Sequence, residues 1–196
     1  MKTDIILAGV GGQGILSIAT AIGVAALKNG LQLKQAETHG MSQRGGAVVS
    51  HLRIADKQIF SDLISKGEAD IILSVEPMEA MRYLPYLSKK GYIVTNTAPF
   101  LNIPDYPELD EVMEKLNSYE NVVALDADKI AVDLGSKIAS NMVMLGAVSP
   151  FLNGITPQVL EDGIVELFSR KGEDVVNTNL EAFRAGKKIA EEVLAK

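Results

Sequence analysis

Asp4-Ile5-Ile6-Leu7-Ala8-Gly9-Val10-Gly11-Gly12-Gln13-Gly14-Ile15 is the stretch on which the fold turns. Its first five residues form a mostly apolar run closed by Gly9, the pattern of a short strand buried on both faces. Residues 15–29 are apolar on nearly every side, with alanine at 19, 21, 25 and 26, and Gly30 stands where a left-handed cap stops a helix. Residues 31–37 return to a strand-like pattern. The first 37 residues therefore predict one βαβ unit with a right-handed crossover.

The turn inside this unit satisfies G-x-G-x-x-G through Gly9, Gly11 and Gly14. Two readings of it stand side by side. Glycines reach positive φ and let the backbone approach a ligand, while the helix start offers N–H groups and a positive dipole end to an anion such as pyrophosphate. Glu37 falls near the position where an acid binds a ribose hydroxyl in a dinucleotide site. The same glycines serve close helix–sheet packing equally well.

Further along, residues 47–54 are β-rich, and a short polar turn separates them from Gln58-Ile59-Phe60, which predicts an antiparallel hairpin. Apolar runs at 71–75, 92–95 and 122–125, separated by helix-compatible segments 77–88 and 106–119, predict three parallel strands with crossovers. Beyond residue 126 the pattern is helical at 128–134, 140–149, 156–168 and 178–195, with Thr156-Pro157 opening the third and Thr178-x-x-Glu181 the fourth. The expected class is α/β, Rossmann-like, a mostly parallel sheet with an antiparallel hairpin and a helical C-terminal portion. No linker or repeat interrupts the chain, so residues 1–196 are expected to form one domain.

Composition removes whole chemistries. The 196 residues contain no Cys, which excludes disulfides, a thiolate nucleophile, Cys-bound zinc and an iron–sulfur cluster held by this chain's own side chains. His39 and His51 are too few for a multi-histidine metal site, so no metal is expected. The N-terminus lacks a signal-peptide pattern and no apolar stretch reaches the roughly 18 residues that span a bilayer, which predicts a cytoplasmic protein away from membranes. A net charge of −6 argues against nucleic acid as partner. The charge is uneven: residues 1–60 carry +3 and the remainder −9, which directs any anion toward the first third.

A second polar loop follows, Glu37-Thr38-His39-Gly40-Met41-Ser42-Gln43-Arg44-Gly45-Gly46. Loops at the C-terminal side of parallel strands are where such sheets bind ligands, and a neighbouring change in strand order would set this loop beside the first. Arg44 between polar and glycine residues either offers a guanidinium fork to a carboxylate or phosphate, or is a solvated side chain in an ordinary connection. His39 and Ser42 lack a nucleophile elbow and an orienting third group. His51 reads as a half-buried cross-strand residue, Glu76 and Glu79 as partners of a helix dipole, and Asp105, Glu108, Asp110, Glu111 and Glu114 as a solvated acidic face. Met142, Met144 and Leu145 suit core or interface packing, and Asn141 a local cap or a contact surface. No acid–base pair emerges, so no catalytic residue is assigned.

The stretches 6–15, Thr38-His39-Gly40-Met41-Ser42-Gln43-Arg44-Gly45-Gly46 and Ala69-Asp70-Ile71-Ile72-Leu73 closely resemble the gamma domain of 2-oxoacid:ferredoxin oxidoreductases, across essentially the full chain. The His-Gly-Met-Ser-Gln-Arg-Gly-Gly version of the second loop is most similar to the beta subunits of the indolepyruvate branch. The resemblance implies a subunit of an enzyme that oxidatively decarboxylates arylpyruvates, with CoA taking the acyl group and ferredoxin the electrons. It also implies that thiamine diphosphate and the iron–sulfur clusters sit on a large alpha subunit, leaving this chain without catalysis of its own. Under that resemblance Gly9, Gly11, Gly12 and Gly14 set the loop backbone, Gln13 donates hydrogen bonds, and Arg44 attracts an anionic group of CoA, substrate or partner. Thr38, His39, Gly40, Met41, Ser42, Gln43, Gly45 and Gly46 then form an interface or substrate loop. Two alternatives remain: a stand-alone dinucleotide-dependent oxidoreductase using Gly9, Gly11, Gly14 and Glu37, and a pure assembly module in which both loops are interface.

Overall fold

The computed structural model describes residues 1–38, 45–101 and 103–195. Its elements are β1 (Lys2–Val10), α1 (Ile15–Lys28), β2 (Gln32–Glu37), β3 (Ala47–Ala55), β4 (Ala69–Ser74), α2 (Pro77–Tyr83), β5 (Leu87–Asn96), α3 (Leu109–Asn117), β6 (Val122–Leu125), α4 (Ala127–Asp133), α5 (Ser140–Val148), α6 (Pro157–Phe168) and α7 (Glu173–Leu194). The six strands form one sheet in the order β2-β3-β1-β4-β5-β6. The β1–β4, β4–β5 and β5–β6 pairs are parallel, as the three later apolar runs predict, and β2–β3 and β3–β1 are antiparallel.

Alternation along β1 sorts the core. Ile5 and Leu7 pack with α1, α4, α5, α6 and α7 on one face of the sheet. Ile6 points the other way, with Val49 and Ile72, and α2 and α3 cover the neighbouring Ile93 through Ala80, Val112 and Leu116. Every residue of β1 after Lys2 is buried, in accord with the reading of its sequence.

Three expectations are corrected. The hairpin pairs β2 with β3, not residues 47–54 with 58–60. Both edges of β3 are filled, by β1 and by β2, so no edge remains for 58–60. Arg53 Nη1 instead ties the following segment down by donating to the carbonyls of Ser61 (3.0 Å) and Leu63 (3.1 Å). The β1-α1-β2 unit exists, but β3 inserts between its two strands. Finally, α7 starts at Glu173 after Gly172, so Thr178 is no cap; its hydroxyl donates back to the Asp174 carbonyl at 2.8 Å.

The helical half is organised around α5, whose residues from Asn141 to Val148 are all buried. Met142, Met144 and Leu145 are thus core, one of the two readings their chemistry allowed. Helix α7 packs against α5 at a glycine–glycine crossing. A Cβ on Gly146 would run into the Phe183 carbonyl, and one on Gly186 into the Val143 carbonyl. Backbone on backbone leaves no flexible atom to yield.

His51 sits mid-strand in β3 and is only 8% exposed. Its Nδ1 accepts from the Ile64 amide at 3.1 Å, and its ring meets Tyr86 edge-on at 5.5 Å. Burial first, and the nearby Arg53 charge second, hold its pKa below the ordinary 6.5.

Two outcomes follow for stability. Gly186→Ala should cost about 3 kcal/mol, the upper part of the range for overpacking, read as a lower urea midpoint. For His51 the unfolded chain takes up the proton at higher pH than the folded one, so its contribution is present above about pH 6.5 and is lost as pH falls below that value. The stability difference between pH 7.5 and pH 5.5 should shrink in His51→Gln, and an unchanged difference would contradict the assignment.

Candidate functional site

β1, β4 and β5 end at one edge of the sheet, with α1 leaving on one face and α2 on the other. The crevice between the ends of β1 and β4 is therefore the switch point at which open α/β sheets take ligands. The glycine loop fills its rim, and each glycine there has its own reason. A Cβ on Gly9 would strike Val75, so Gly9 lets the chain leaving β4 lie flush against the loop. Gly11 exchanges backbone hydrogen bonds with the second loop: its N–H donates to the Gly46 carbonyl at 2.9 Å, and the Gly45 N–H donates to the Gly11 carbonyl at 3.3 Å. Gly12 and Gly14 have φ of +104° and +79°, conformations that a side chain would strain, and Gly14 immediately precedes α1.

Within the loop Gln13 acts as a staple. Its Oε1 accepts from the Val10 amide at 2.7 Å and its Nε2 donates to the Val75 carbonyl at 3.4 Å. Thr38 continues the β2–β3 pairing, its N–H donating to the Val49 carbonyl at 3.1 Å. His39, Gly40, Met41, Ser42, Gln43 and Arg44 lie outside the described residues.

Glu37 does not meet the requirement of a dinucleotide site. It belongs to β2, and β3 separates β2 from β1. At about 4.8 Å per strand, this puts the acid roughly one strand spacing further from the glycine loop than a dinucleotide-binding βαβ unit allows. The Glu37 carboxylate instead accepts from Gln35 Nε2.

A cleft of about 600 Å³ opens beside the glycine loop. Gly12, Gln13, Gly14 and Ser17 form one wall, and Val75 and Asn96 lie at the strand ends. The opposite wall comes from the helical half: Lys137 just before α5 and Asn141 at its start, and Lys171 just before α7 and Asn179 in its second turn. Asn141 Nδ2 donates to the Gly14 carbonyl at 3.4 Å and so bridges the two walls. Asn96 fixes the cleft's third side, its Nδ2 donating to the Val75 carbonyl (3.3 Å) and to Asp128 Oδ1 (3.2 Å), and its Oδ1 accepting from the Ala127 amide (3.0 Å).

The segment after β5 is held over this edge by Glu76, which is fully buried. Glu76 caps α2 through the Glu79 amide at 2.8 Å and also accepts from the Phe100 amide (3.3 Å) and the Tyr106 hydroxyl. Burial and the Glu76 carboxylate push the Tyr106 hydroxyl well above its usual range. Burial likewise raises the Glu79 carboxyl, with Arg82 pulling the other way. The dipole role read for these two glutamates is therefore a cap joined to a tether.

Several cations of the first third are paired within the fold. Lys2 and Arg53 both pair with the buried Asp4 at the far end of β1, Lys28 pairs with Glu166, and Lys34 with Asp62. Glu166 and Asp62 come from the acidic remainder, so part of the charge asymmetry along the sequence is neutralised across the fold. The lysines at the cleft, Lys137 and Lys171, come from the acidic remainder. Sequence reasoning missed them and Asn179; the available signal was a polar residue, such as Asn141 or Asn179, set into an apolar helix face.

Among the described residues no cluster of three His, Cys, Asp or Glu has the arrangement of a metal site, and no helix is long and apolar enough to cross a membrane. The geometry offers hydrogen-bonding amides, helix N-termini and cations: binding and positioning chemistry.

The sequence matches the pyruvate ferredoxin/flavodoxin oxidoreductase family over residues 4–189. It is 37% identical to indolepyruvate oxidoreductase subunit IorB of Pyrococcus horikoshii, covering 97% of each chain. Among solved structures it resembles a gamma subunit of a keto/oxoacid ferredoxin oxidoreductase from Geobacter sulfurreducens, with 26% identity and a TM-score of 0.70, covering 97% of this chain and 99% of that one. It also resembles 2-oxoglutarate:ferredoxin oxidoreductase from Magnetococcus marinus, solved with 2-oxoglutarate, coenzyme A and succinyl-CoA bound, with 25% identity and a TM-score of 0.77. There it covers 97% of this chain but spans only 31% of the other.

The staple makes a prediction of its own. Gln13→Leu leaves the Val10 amide without its acceptor and should cost about 1–3 kcal/mol in urea unfolding. A variant as stable as the parent would show that the staple carries no weight.

Proposed function

Because the chain belongs to the pyruvate ferredoxin/flavodoxin oxidoreductase family, we propose that it is the small subunit of an indolepyruvate-type 2-oxoacid:ferredoxin oxidoreductase. The complex oxidatively decarboxylates an arylpyruvate, passes the acyl group to CoA and the electrons to ferredoxin. The observation that carries this reading is the 37% identity to an indolepyruvate oxidoreductase subunit over 97% of both chains. Thiamine diphosphate supplies the carbanion chemistry and iron–sulfur clusters the electron path, both on a large alpha subunit. The composition supports that division, since a chain without Cys has no thiolates with which to hold clusters.

Within this reading residues 1–196 act as one cytoplasmic domain whose C-terminal sheet edge faces the large subunit. The glycine loop and the second loop are bound to each other through Gly11, Gly45 and Gly46, so they present one surface. Gly9, Gly11, Gly12, Gln13 and Gly14 shape it, and Arg44 supplies a guanidinium to an anionic group of CoA, substrate or partner. The displacement of Glu37 by a full strand counts against the stand-alone dinucleotide enzyme.

Co-purification from the native source tests the class: a large partner containing thiamine and iron–sulfur clusters is expected, and its absence would sink the proposal. Assayed with a panel of 2-oxoacids, the complex should oxidise arylpyruvates in preference to pyruvate and 2-oxoglutarate. Arg44→Ala should weaken CoA-dependent turnover or the yield of complex. If both are unchanged, Arg44 has no such role.

A further inference from the structure

The edge that carries the glycine loop also leaves several large apolar side chains uncovered together. Phe100 and Ile138 line the cleft on one side of the loop, Leu16 lines a smaller apolar hollow on the other, and the two hollows share Gly12 and Gly14. All three side chains are exposed, Ile138 to 89%. Leu101 and Ile103 continue the row along the connection from β5 to α3, and Leu101 is 74% exposed. Single exposed apolar residues are ordinary on a folded surface, but a row of them around one opening marks a contact surface. We infer that Leu16, Phe100, Leu101, Ile103 and Ile138 are the seat of the chain on the large subunit of its complex.

The way the connection after β5 is held supports this independently. It has no regular structure, yet the Thr97 amide donates to the Leu125 carbonyl at 3.0 Å and the Ala98 amide to Asn96 Oδ1 at 3.2 Å. The Phe100 amide and the Tyr106 hydroxyl both donate to Glu76. Glu76 is fully buried, and a carboxylate is withdrawn from water at little cost only when donors surround it. What these bonds fix in place leaves Leu101 and Ile103 in solvent, so they add almost nothing to the core. They do order an apolar loop in the free chain, and a loop already ordered gives up little entropy when a partner covers it.

Three features point to the large subunit and not to a second copy. Gly11, Gly45 and Gly46 join the two loops along the same edge, so seat and loops form one surface. Lys137 and Lys171 stand exposed beside Ile138 and Phe100 at the rim of the cleft. A symmetric dimer through this face would bring lysines of both copies into one interface, whereas a partner that is apolar at its centre and acidic around it would match them. In the Magnetococcus marinus protein the matching unit spans 31% of a longer chain, so there it is joined to the remainder of one polypeptide.

This inference deepens the subunit reading and rests on it. Co-expression of the tagged chain with its large subunit, then mass photometry of the purified complex on dilution, reads the dissociation constant. Leu101→Asp/Ile138→Asp, which alters only exposed side chains, should raise that constant at least about tenfold. Lys137→Glu/Lys171→Glu should raise it as well, because like charges then meet across the rim. Phe60→Asp is the control: Phe60 is equally exposed but lies beside Asp4 and Arg53 at the opposite end of β1, and the constant should not change. Circular dichroism confirms that each variant is folded, and Leu101→Ala/Ile138→Ala replaces the acidic pair if that pair disturbs the fold. An unchanged constant in either the apolar or the lysine pair overturns the seat, as does loss of the complex in Phe60→Asp alone. A homodimer of the chain that the apolar pair breaks while the complex persists overturns it too, in favour of a second copy. Each of these outcomes leaves the subunit reading intact. Failure of the parent chain to associate with any large subunit overturns both.

Discussion

Helices α5 and α7 touch backbone to backbone because Gly146 lies against the Phe183 carbonyl and Gly186 against the Val143 carbonyl, and the rest of the molecule is arranged around that contact. Helix α5 is apolar on every side, so it is stable only where sheet and helices enclose it completely. The crossing lets α7 close over it without a gap. With α5 fixed, its first residues stand over the end of β1, Asn141 reaches the Gly14 carbonyl, and the cleft acquires its second wall. A packing requirement of the core thereby sets the geometry of the functional edge.

At that edge the glycine loop does two jobs that its sequence pattern does not distinguish. Gly9 serves packing, since Val75 occupies the space a side chain would need. Gly11 joins one loop to the other through its backbone. Gly12 and Gly14 provide left-handed conformations, and Gly14 also makes room for Asn141. The pattern is that of a dinucleotide fold, but the insertion of β3 between β1 and β2 removes the acid that would complete it. What remains is a glycine loop without the acidic ribose-binding partner of a nicotinamide enzyme.

Strands and helices were legible because hydrophobic periodicity reports which segments are regular and which face is buried: β1, the three later parallel strands and helices α4 to α6 lie close to their predicted positions. Pairing was not legible. Residues 47–54 read correctly as a strand, yet their partners are set by which edges are open, a property of the assembled sheet. Thr178 shows a related limit, since the capping-box spacing recurs inside helices whenever Thr and Glu occupy positions three apart, and Gly172 is the actual start. Half of the candidate site was visible in the glycine loop. The other half was not, because Lys137, Asn141, Lys171 and Asn179 share no motif and become neighbours only through the α5–α7 crossing.

The Gly14–Asn141 bond joins residues 127 positions apart. During synthesis the glycine loop is complete long before the ribosome has added α5, and α7, which encloses α5, comes later still. Closing so long a loop gives up chain entropy before any contact returns it, so the cleft is among the last features to form. Until then the unclad apolar surface of the sheet is open to solvent. The cleft edge and the finished core thus appear together, and a chain whose cleft is complete has already passed through its most aggregation-prone stage.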